Sequence, residues 1–148
     1  MWRWPMASDA APPSGPTVLR QIAVKTRRRD ALIDLTDEIN REIESAGLGT
    51  GLCHLSVLHT TAALIVNEAE PGLCDDFLRT MDRLVPVDPS YAHPDGNGHA
   101  HIKAALLGST QLLQIREGRL HLGTWQSVFL AEFDGPRERT IAVYLMPI

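Results

Sequence analysis

The amino-acid sequence predicts an α+β domain that combines a mostly antiparallel or mixed β-sheet with about three helices. The first observation is about six to eight segments with strand-like alternation or many β-branched residues. The second is a set of about three segments whose apolar residues recur at helical spacing. The third is the short connection between many strands, which antiparallel pairing allows. A chain of 148 residues with these features is expected to form one domain with its own core.

The N-terminal segment differs in composition from the rest of the chain. Residues 1–16 are predicted to form a disordered leader, and residues 17–148 the folded domain. The leader is rich in proline and small residues and lacks the long apolar region of a secretory signal. No stretch of the chain is apolar enough to span a bilayer. The sequence therefore predicts a cytoplasmic location and no membrane partner.

Charge and cysteine content narrow the classes of function. The formal net charge of −4 argues against an extended nucleic-acid surface, so no nucleic-acid partner is expected. Cys53 and Cys74 both lie among apolar neighbours, which predicts buried thiols rather than a disulfide or metal ligands.

The first elements are predicted to be a strand and a helix. Residues 17–26 alternate in the manner of a strand with at least one buried face. Residues 34–49 are predicted to be a helix that Asp34 or Thr36 caps and Gly47 ends. Its apolar residues recur at helical spacing and are Leu35, Ile39, Ile43 and Ala46.

The middle of the chain predicts two strands and a second helix. The strands are expected to meet at a bend at Thr60–Thr61, and the second ends at Asn67–Glu68. Pro71 suits the first turn of the helix, and Pro86 ends it. The predicted buried stripe of this helix consists of Leu73, Phe77, Met81 and Leu84.

A histidine-rich loop leads into a predicted third helix that Gly108 ends. In a helix, residues two apart lie about 200° apart around the axis. If the helix begins before His99, only one of His99 and His101 can point into a given site. If His99 still lies in the loop, both side chains could converge.

The last third of the chain is predicted to be β-structure. A turn is expected at Glu117–Gly118, where glycine allows a positive φ. Thr124–Gln126 interrupts a strand with three polar or hydrogen-bonding side chains. Residues 140–146 are strongly β-prone and are predicted to form a central strand.

Standard catalytic motifs are absent from the sequence. It contains no GxxxxGK[ST] loop, no CxxC, no HExxH and no nucleophile-elbow serine. What remains is a set of polar groups at the ends of elements, which are His59, Asn67, Glu68, His93, Asp95, His99, His101, Lys103, Thr124, Trp125, Gln126, Glu132, Asp134, Arg137 and Arg139. Imidazoles and carboxylates can bind zinc or, with waters, magnesium, and basic side chains can hold a phosphate. The same residues also suit ordinary surface positions and a charged hairpin turn, so both interpretations stay open.

Three segments carry a resemblance to a known family: HTTAALIVNE (59–68), HIKAALLGS (101–109) and GRLHLGTWQSVFLAEFDGPRER (118–139). With them the chain, from about Thr17 to Ile148, resembles the YjbQ family, known as secondary thiamine-phosphate synthase enzymes. The GTWQ segment with the preceding Gly-Arg-Leu is the most specific part of the match.

The resemblance implies a compact α+β fold that assembles as a homotrimer, with ligand sites at subunit interfaces. It implies a small phosphorylated ligand and a divalent metal, zinc or magnesium. The resemblance implies three roles for the residues that match the family pattern. The implied catalytic residues are His59, Glu68, His101 and Lys103, and the implied substrate-binding residues are Asn67, Trp125, Gln126 and Arg139. The implied metal ligands are His59, His93 and His101. His99 and His121 lie where the family pattern does not require histidine, which favours His101 over His99.

Three functions remain open at this point. The first is thiamine-phosphate synthesis, which joins a pyrimidinylmethyl pyrophosphate to a thiazole phosphate and expels pyrophosphate. The second is a trimeric metal-binding protein without this activity. The third is a metal-dependent hydrolase of a phosphorylated small molecule.

Overall fold

The computed structural model describes residues 15–148, and these residues form three helices and eight strands. The strands are β1 (Val18–Lys25), β2 (Ala31–Asp34), β3 (Gly51–Val57), β4 (Ala62–Asn67), β5 (Thr110–Arg116), β6 (Arg119–Leu120), β7 (Ser127–Glu132) and β8 (Glu138–Pro147). The helices are α1 (Thr36–Ser45), α2 (Pro71–Leu84) and α3 (Gly98–Leu107). The predicted α+β class is confirmed. The predicted leader lies almost wholly outside the described residues.

The strands form two antiparallel sheets. The larger sheet has the order β1-β8-β3-β5-β6, and the smaller has the order β2-β7-β4. In the larger sheet, Ile141 of β8 pairs with Ile22 of β1 on one side and with Val57 of β3 on the other. The predicted central position of the last strand is thus confirmed.

The main core lies between the two sheets and α1. Its buried side chains include Ile22, Leu55 and Ile141 from the larger sheet, Leu64 and Leu130 from the smaller sheet, and Ile39 and Ile43 from α1. On the opposite face of the smaller sheet, Ala63 and Ala131 pack with Phe133 against Met81 of α2 and Ala100 of α3. The smaller sheet is therefore covered on both faces, which explains the continuous burial of residues 62–64 in β4 and 128–132 in β7.

Four local features of the structure differ from what the sequence predicted. The strand β2 was missed, because its four residues follow a polar run and only pairing with β7 identifies them. Leu84, predicted to be buried, is exposed at the last turn of α2. The carboxylate of Glu70, not named as a cap, accepts the backbone N–H groups of Gly72 and Leu73 at distances of 2.8 and 2.7 Å. Cys53 is buried as predicted, whereas Cys74 is only half-buried.

None of the helices in residues 15–148 has the length and apolar character that crossing a bilayer requires.

Candidate functional site

An open depression of about 660 Å³ lies where the smaller sheet begins, between the β3–β4 link, the start of α3 and the β7–β8 turn. Its polar lining includes His59, Thr60, Asn97, His101, Asp134 and Arg137. A second depression, of about 320 Å³, shares His59, Thr60 and His101 with the first. We call the two together the histidine depression. The structure thus brings together residues that lie about forty positions apart along the chain.

His59 is held by the backbone of the central strand. It lies in the link between β3 and β4, and its Nε2 accepts the backbone N–H of Thr140 at 2.9 Å. One residue earlier, the N–H of Leu58 donates to the carbonyl of Thr140 at 3.0 Å. The imidazole therefore accepts the backbone N–H that would otherwise form the next hydrogen bond of the β3–β8 ladder. This bond to the sheet sets the orientation of the ring.

His101 faces the histidine depression and His99 does not. Helix α3 begins at Gly98, before His99, so the two rings lie on opposite sides of the helix. His99 is only 4% exposed, and both of its ring nitrogens are buried without a hydrogen-bond partner among the described residues. The ring of His101 instead meets that of His93 edge to face, with centroids 4.8 Å apart. The alternative in which both histidines of the pair converge is excluded by the start of the helix.

Arg139 forms the floor of the depression and is almost fully buried at 2% exposed. Its Nε donates to Glu132 Oε2 at 2.7 Å, and its Nη2 donates to Thr61 Oγ1 at 2.8 Å. The guanidinium charge is thus neutralised inside the protein by a buried carboxylate. Arg139 shapes the site and joins the two sheets, and its Nη1 makes no hydrogen bond within residues 15–148.

Arg137 supplies the accessible positive charge. Its Nη2 donates to Asp134 Oδ2 at 3.0 Å, and Asn97 Nδ2 donates to the same oxygen at 2.9 Å. Burial alone would raise the pKa of the Asp134 carboxyl, but the hydrogen bonds from Asn97 and Arg137 outweigh it and lower that pKa. The guanidinium is half-exposed, and its Nη1 makes no hydrogen bond within residues 15–148. This nitrogen is free to meet a ligand.

The environment also affects the protonation of His59. Burial lowers the pKa of this imidazole, and the positive charge of Arg139 lowers it further. The neutral ring is therefore favoured over the imidazolium.

Lys103, predicted to be catalytic, does not line the depression. Its side chain is 1% exposed and forms an ion pair with Asp82 of α2. The ammonium also lies over the ring of Phe133, 5.4 Å from its centroid. In the structure Lys103 joins α3 to α2 behind the site.

The predicted residues Asn67, Glu68, Trp125 and Gln126 lie at the other end of the smaller sheet. Strand β4 runs from Ala62, opposite Glu132, to Asn67, opposite Ser127. Five residue steps of a strand span about 17 Å. Within one chain, the predicted site residues therefore lie in two separate places. One is the histidine depression, and the other, formed by Asn67, Glu68, Trp125 and Gln126, we call the tryptophan end.

The tryptophan end is built from local turns. Asn67 Oδ1 accepts the N–H of Glu68 at 2.9 Å, and Gln126 Oε1 accepts the N–H of Gly123 at 2.8 Å. Trp125 is 72% exposed. Nothing in the described chain covers this indole, so its predicted stacking on a ligand stays a prediction.

The predicted metal site requires at least three ligand-type side chains to meet at one place. Within residues 15–148, no group of three or more His, Cys, Asp or Glu side chains is placed to hold a metal ion. His93 and His101 are neighbours, but two ligands do not complete a zinc site. The residues of one chain therefore do not fit a zinc or magnesium centre. A metal centre at a subunit interface stays a prediction.

Sequence reasoning missed the contributions of Thr60, Thr61 and Asn97 to the site. Threonines at a bend and an asparagine between two glycines are typical of turns. Their placement beside Arg137 and Arg139 depends on contacts far apart in sequence. The best available signal was Asn97 immediately before a helix, although its side chain bonds Asp134 instead of capping α3.

Comparisons with known proteins agree with this fold. Residues 20–147 match the family model described as UPF0047 protein YjbQ-like. A UPF0047 protein of Archaeoglobus fulgidus is 43% identical over 125 residues, which cover 83% of this chain and 97% of the relative. The UPF0047 protein YugU of Bacillus subtilis is 37% identical over 131 residues, which cover 87% and 99% of the two chains.

Solved structures give the same result. The crystal structure of a YbjQ-like protein of unknown function from Sulfolobus solfataricus superposes with a TM-score of 0.86 at 39% identity, covering 90% of this chain and 99% of that one. A hypothetical protein from Aeropyrum pernix superposes with a TM-score of 0.85 at 36% identity, covering 88% and 99%. With its fold and nearly its whole folded length matched, this chain belongs to the YjbQ-like UPF0047 family.

Proposed function

We propose that the histidine depression binds a small phosphorylated molecule. The observation that carries the proposal is the free Nη1 of Arg137 beside two imidazoles in an open depression of about 660 Å³. This volume lies within the range of about 300–1,000 Å³ that small-molecule sites occupy. An arginine whose position is held by Asp134 is well suited to a phosphate, because less freedom is lost on binding.

The chemistry that we propose is transfer of the thiamine-phosphate synthase type. In this reaction a pyrimidinylmethyl carbon bonds to the thiazole nitrogen, and the bond from that carbon to pyrophosphate breaks. The negative charge that develops on the departing oxygen needs preorganised donors, and one such donor is worth about 3–4 kcal/mol in a dry site. Arg137 and His59 would serve the pyrophosphate, and His101 lines the same depression.

We also propose that a homotrimer completes the site. The histidine depression and the tryptophan end lie at opposite ends of β4, so they can meet only if different copies of the chain contribute them. The exposed indole of Trp125 supports this assembly, because it would provide an aromatic surface for the pyrimidine ring. Light scattering should give three times the mass of one chain, and a stable monomer at micromolar concentration would contradict the assembly.

Binding and catalysis need separate experiments. Calorimetry with inorganic pyrophosphate measures binding, and Arg137→Ala should weaken it by about tenfold or more. Arg41→Ala is the matched control, because Arg41 is an exposed arginine outside the depression. Wild-type protein that does not bind pyrophosphate would reject the proposed ligand class.

Complementation of a thiamine auxotroph tests the transfer reaction. The wild-type chain is expected to restore growth, and His101→Ala is expected to lose this ability. His121→Ala should restore growth, because His121 is exposed and lies outside the depression. Absence of growth with well-expressed wild-type protein would reject this activity for the chain while leaving phosphate binding to be judged by calorimetry.

A further inference from the structure

The geometry points to a specific role for His59: it is a neutral hydrogen-bond donor that presents its Nδ1–H to an anionic oxygen, and it is not a metal ligand. The inference rests on the proposed function for the identity of that oxygen, a phosphate. The tautomer itself follows from the protein alone.

The hydrogen bond between His59 and the sheet fixes the tautomer of the ring. A backbone N–H can only donate, so the ring nitrogen that meets the N–H of Thr140 at 2.9 Å must offer a lone pair. That nitrogen is Nε2. A neutral imidazole has one lone-pair nitrogen and one N–H nitrogen, so the proton resides on Nδ1.

Metal binding through either nitrogen of His59 conflicts with this arrangement. Coordination through Nε2 would take the lone pair from Thr140 and leave a backbone N–H of β8 without its acceptor. Coordination through Nδ1 requires the proton to leave while Nε2 keeps its lone pair, which produces an imidazolate. The imidazolium form fails as well, because it would place two N–H groups against each other.

The Nδ1 of His59 is open to a ligand. It makes no hydrogen bond within the described residues, and it is not among their buried unpartnered side-chain atoms. The ring lines both parts of the histidine depression, together with Thr60. Beside Arg137, a neutral N–H donor contributes to binding an oxyanion without adding a second positive charge. The pair should favour phosphate oxygens over cationic or purely apolar ligands.

Nitrogen NMR of the histidine-labelled, full-length protein reads the tautomer directly. We expect the His59 Nε2 resonance to have the shift of an unprotonated nitrogen and Nδ1 that of a protonated one, and equimolar zinc should leave both unchanged. Inorganic pyrophosphate should shift Nδ1. The reverse tautomer, or a zinc-dependent shift of His59 Nε2, would overturn the inference.

Substitution separates the two nitrogens. In His59→Gln the side-chain oxygen can still accept the N–H of Thr140, but the donor at the Nδ1 position is lost. We expect this variant to fold, to keep slow amide exchange at Thr140, and to bind pyrophosphate about tenfold more weakly. His59→Ala should show fast exchange at Thr140 as well, and His121→Gln should match the wild type in both measurements.

The outcomes distinguish this inference from the proposed function. Wild-type affinity in His59→Gln, with Thr140 still protected, would overturn the donor role and leave the phosphate site intact. If pyrophosphate does not bind the wild type at all, the proposed ligand class fails, and the tautomer seen by NMR still decides whether His59 is a neutral Nδ1–H donor.

Discussion

The two ends of the smaller sheet use polar side chains in opposite ways. At the histidine depression, His59 accepts a backbone N–H that is distant in sequence, and Arg139 donates to a fully buried carboxylate. At the tryptophan end, Asn67 and Gln126 only bond neighbouring backbone groups. Side chains held by the fold are preorganised for a ligand, whereas side chains in local turns remain free to change partners.

This difference predicts unequal sensitivity to substitution. Changes at the histidine depression should affect both stability and ligand binding, because its groups are part of the framework. Changes at the tryptophan end should leave the stability of one chain almost unaltered.

The largest effect is expected from Arg139→Ala. The substitution leaves the fully buried carboxylate of Glu132 without its guanidinium, and breaking a buried pair in this way costs about 3–5 kcal/mol. Urea unfolding measures the loss. At the tryptophan end, Gln126→Ala removes one exposed hydrogen bond and should cost about 1 kcal/mol or less. Equal losses of unfolding free energy in the two variants would contradict the expected difference between the two ends of the smaller sheet.

A smaller loss is expected from Asp82→Ala, about 2 kcal/mol, because Lys103 is left buried without its carboxylate. The double variant Asp82→Ala, Lys103→Met should recover much of this stability, since no unpaired charge then remains. Lys103→Met alone should keep pyrophosphate affinity within about twofold, because Lys103 does not line the depression. A large loss of pyrophosphate affinity in that variant would support the predicted catalytic role of Lys103.

The free energy of unfolding is expected to depend on pH through two histidines. Burial lowers the pKa values of both His59 and His99. The positive charge of Arg139 lowers the pKa of His59 further, and that of Lys103 lowers the pKa of His99 further. Both rings therefore bind protons less readily in the folded state. The resulting stability is present above the unfolded pKa of about 6.5 and is lost as the pH falls through the folded values. Urea unfolding at pH 7.5 and 5.5 should show this loss.

His99→Leu should reduce the pH dependence between those two conditions, because it removes one of the two imidazoles whose pKa is lowered in the folded state. The exposed His121 serves as the control, and His121→Ala should keep the wild-type slope. An unchanged slope in His99→Leu would show that His99 does not contribute.

The smallest effect on one chain is expected from Trp125→Ala. The indole is exposed, so the change in unfolding free energy should lie within about 0.5 kcal/mol. Under the proposed assembly, the same substitution should weaken association or the binding of a pyrimidine-containing ligand. Light scattering and calorimetry measure these two effects, and wild-type behaviour in both would leave Trp125 without a role in the site.

Part of the candidate site could be predicted from single residues. His59 and His101 stood out because imidazoles at the ends of elements are chemically versatile, and the structure brings both to one depression. Arg139 also stood out, but the sequence did not reveal its burial against Glu132. Lys103 could not be assigned from the sequence, because a surface lysine and a buried, paired one look the same there.

By itself, the sequence determined the class of the fold, the number of helices and the central position of the last strand, because periodicity and turn residues act over short distances. Only the tertiary structure decided which polar groups meet. The pairing of β8 with β3 sets the ring of His59 against Thr140, and the start of α3 at Gly98 turns His101 towards the depression and His99 away from it. Such placements depend on the register of strands and the packing of helices, which join residues far apart along the chain.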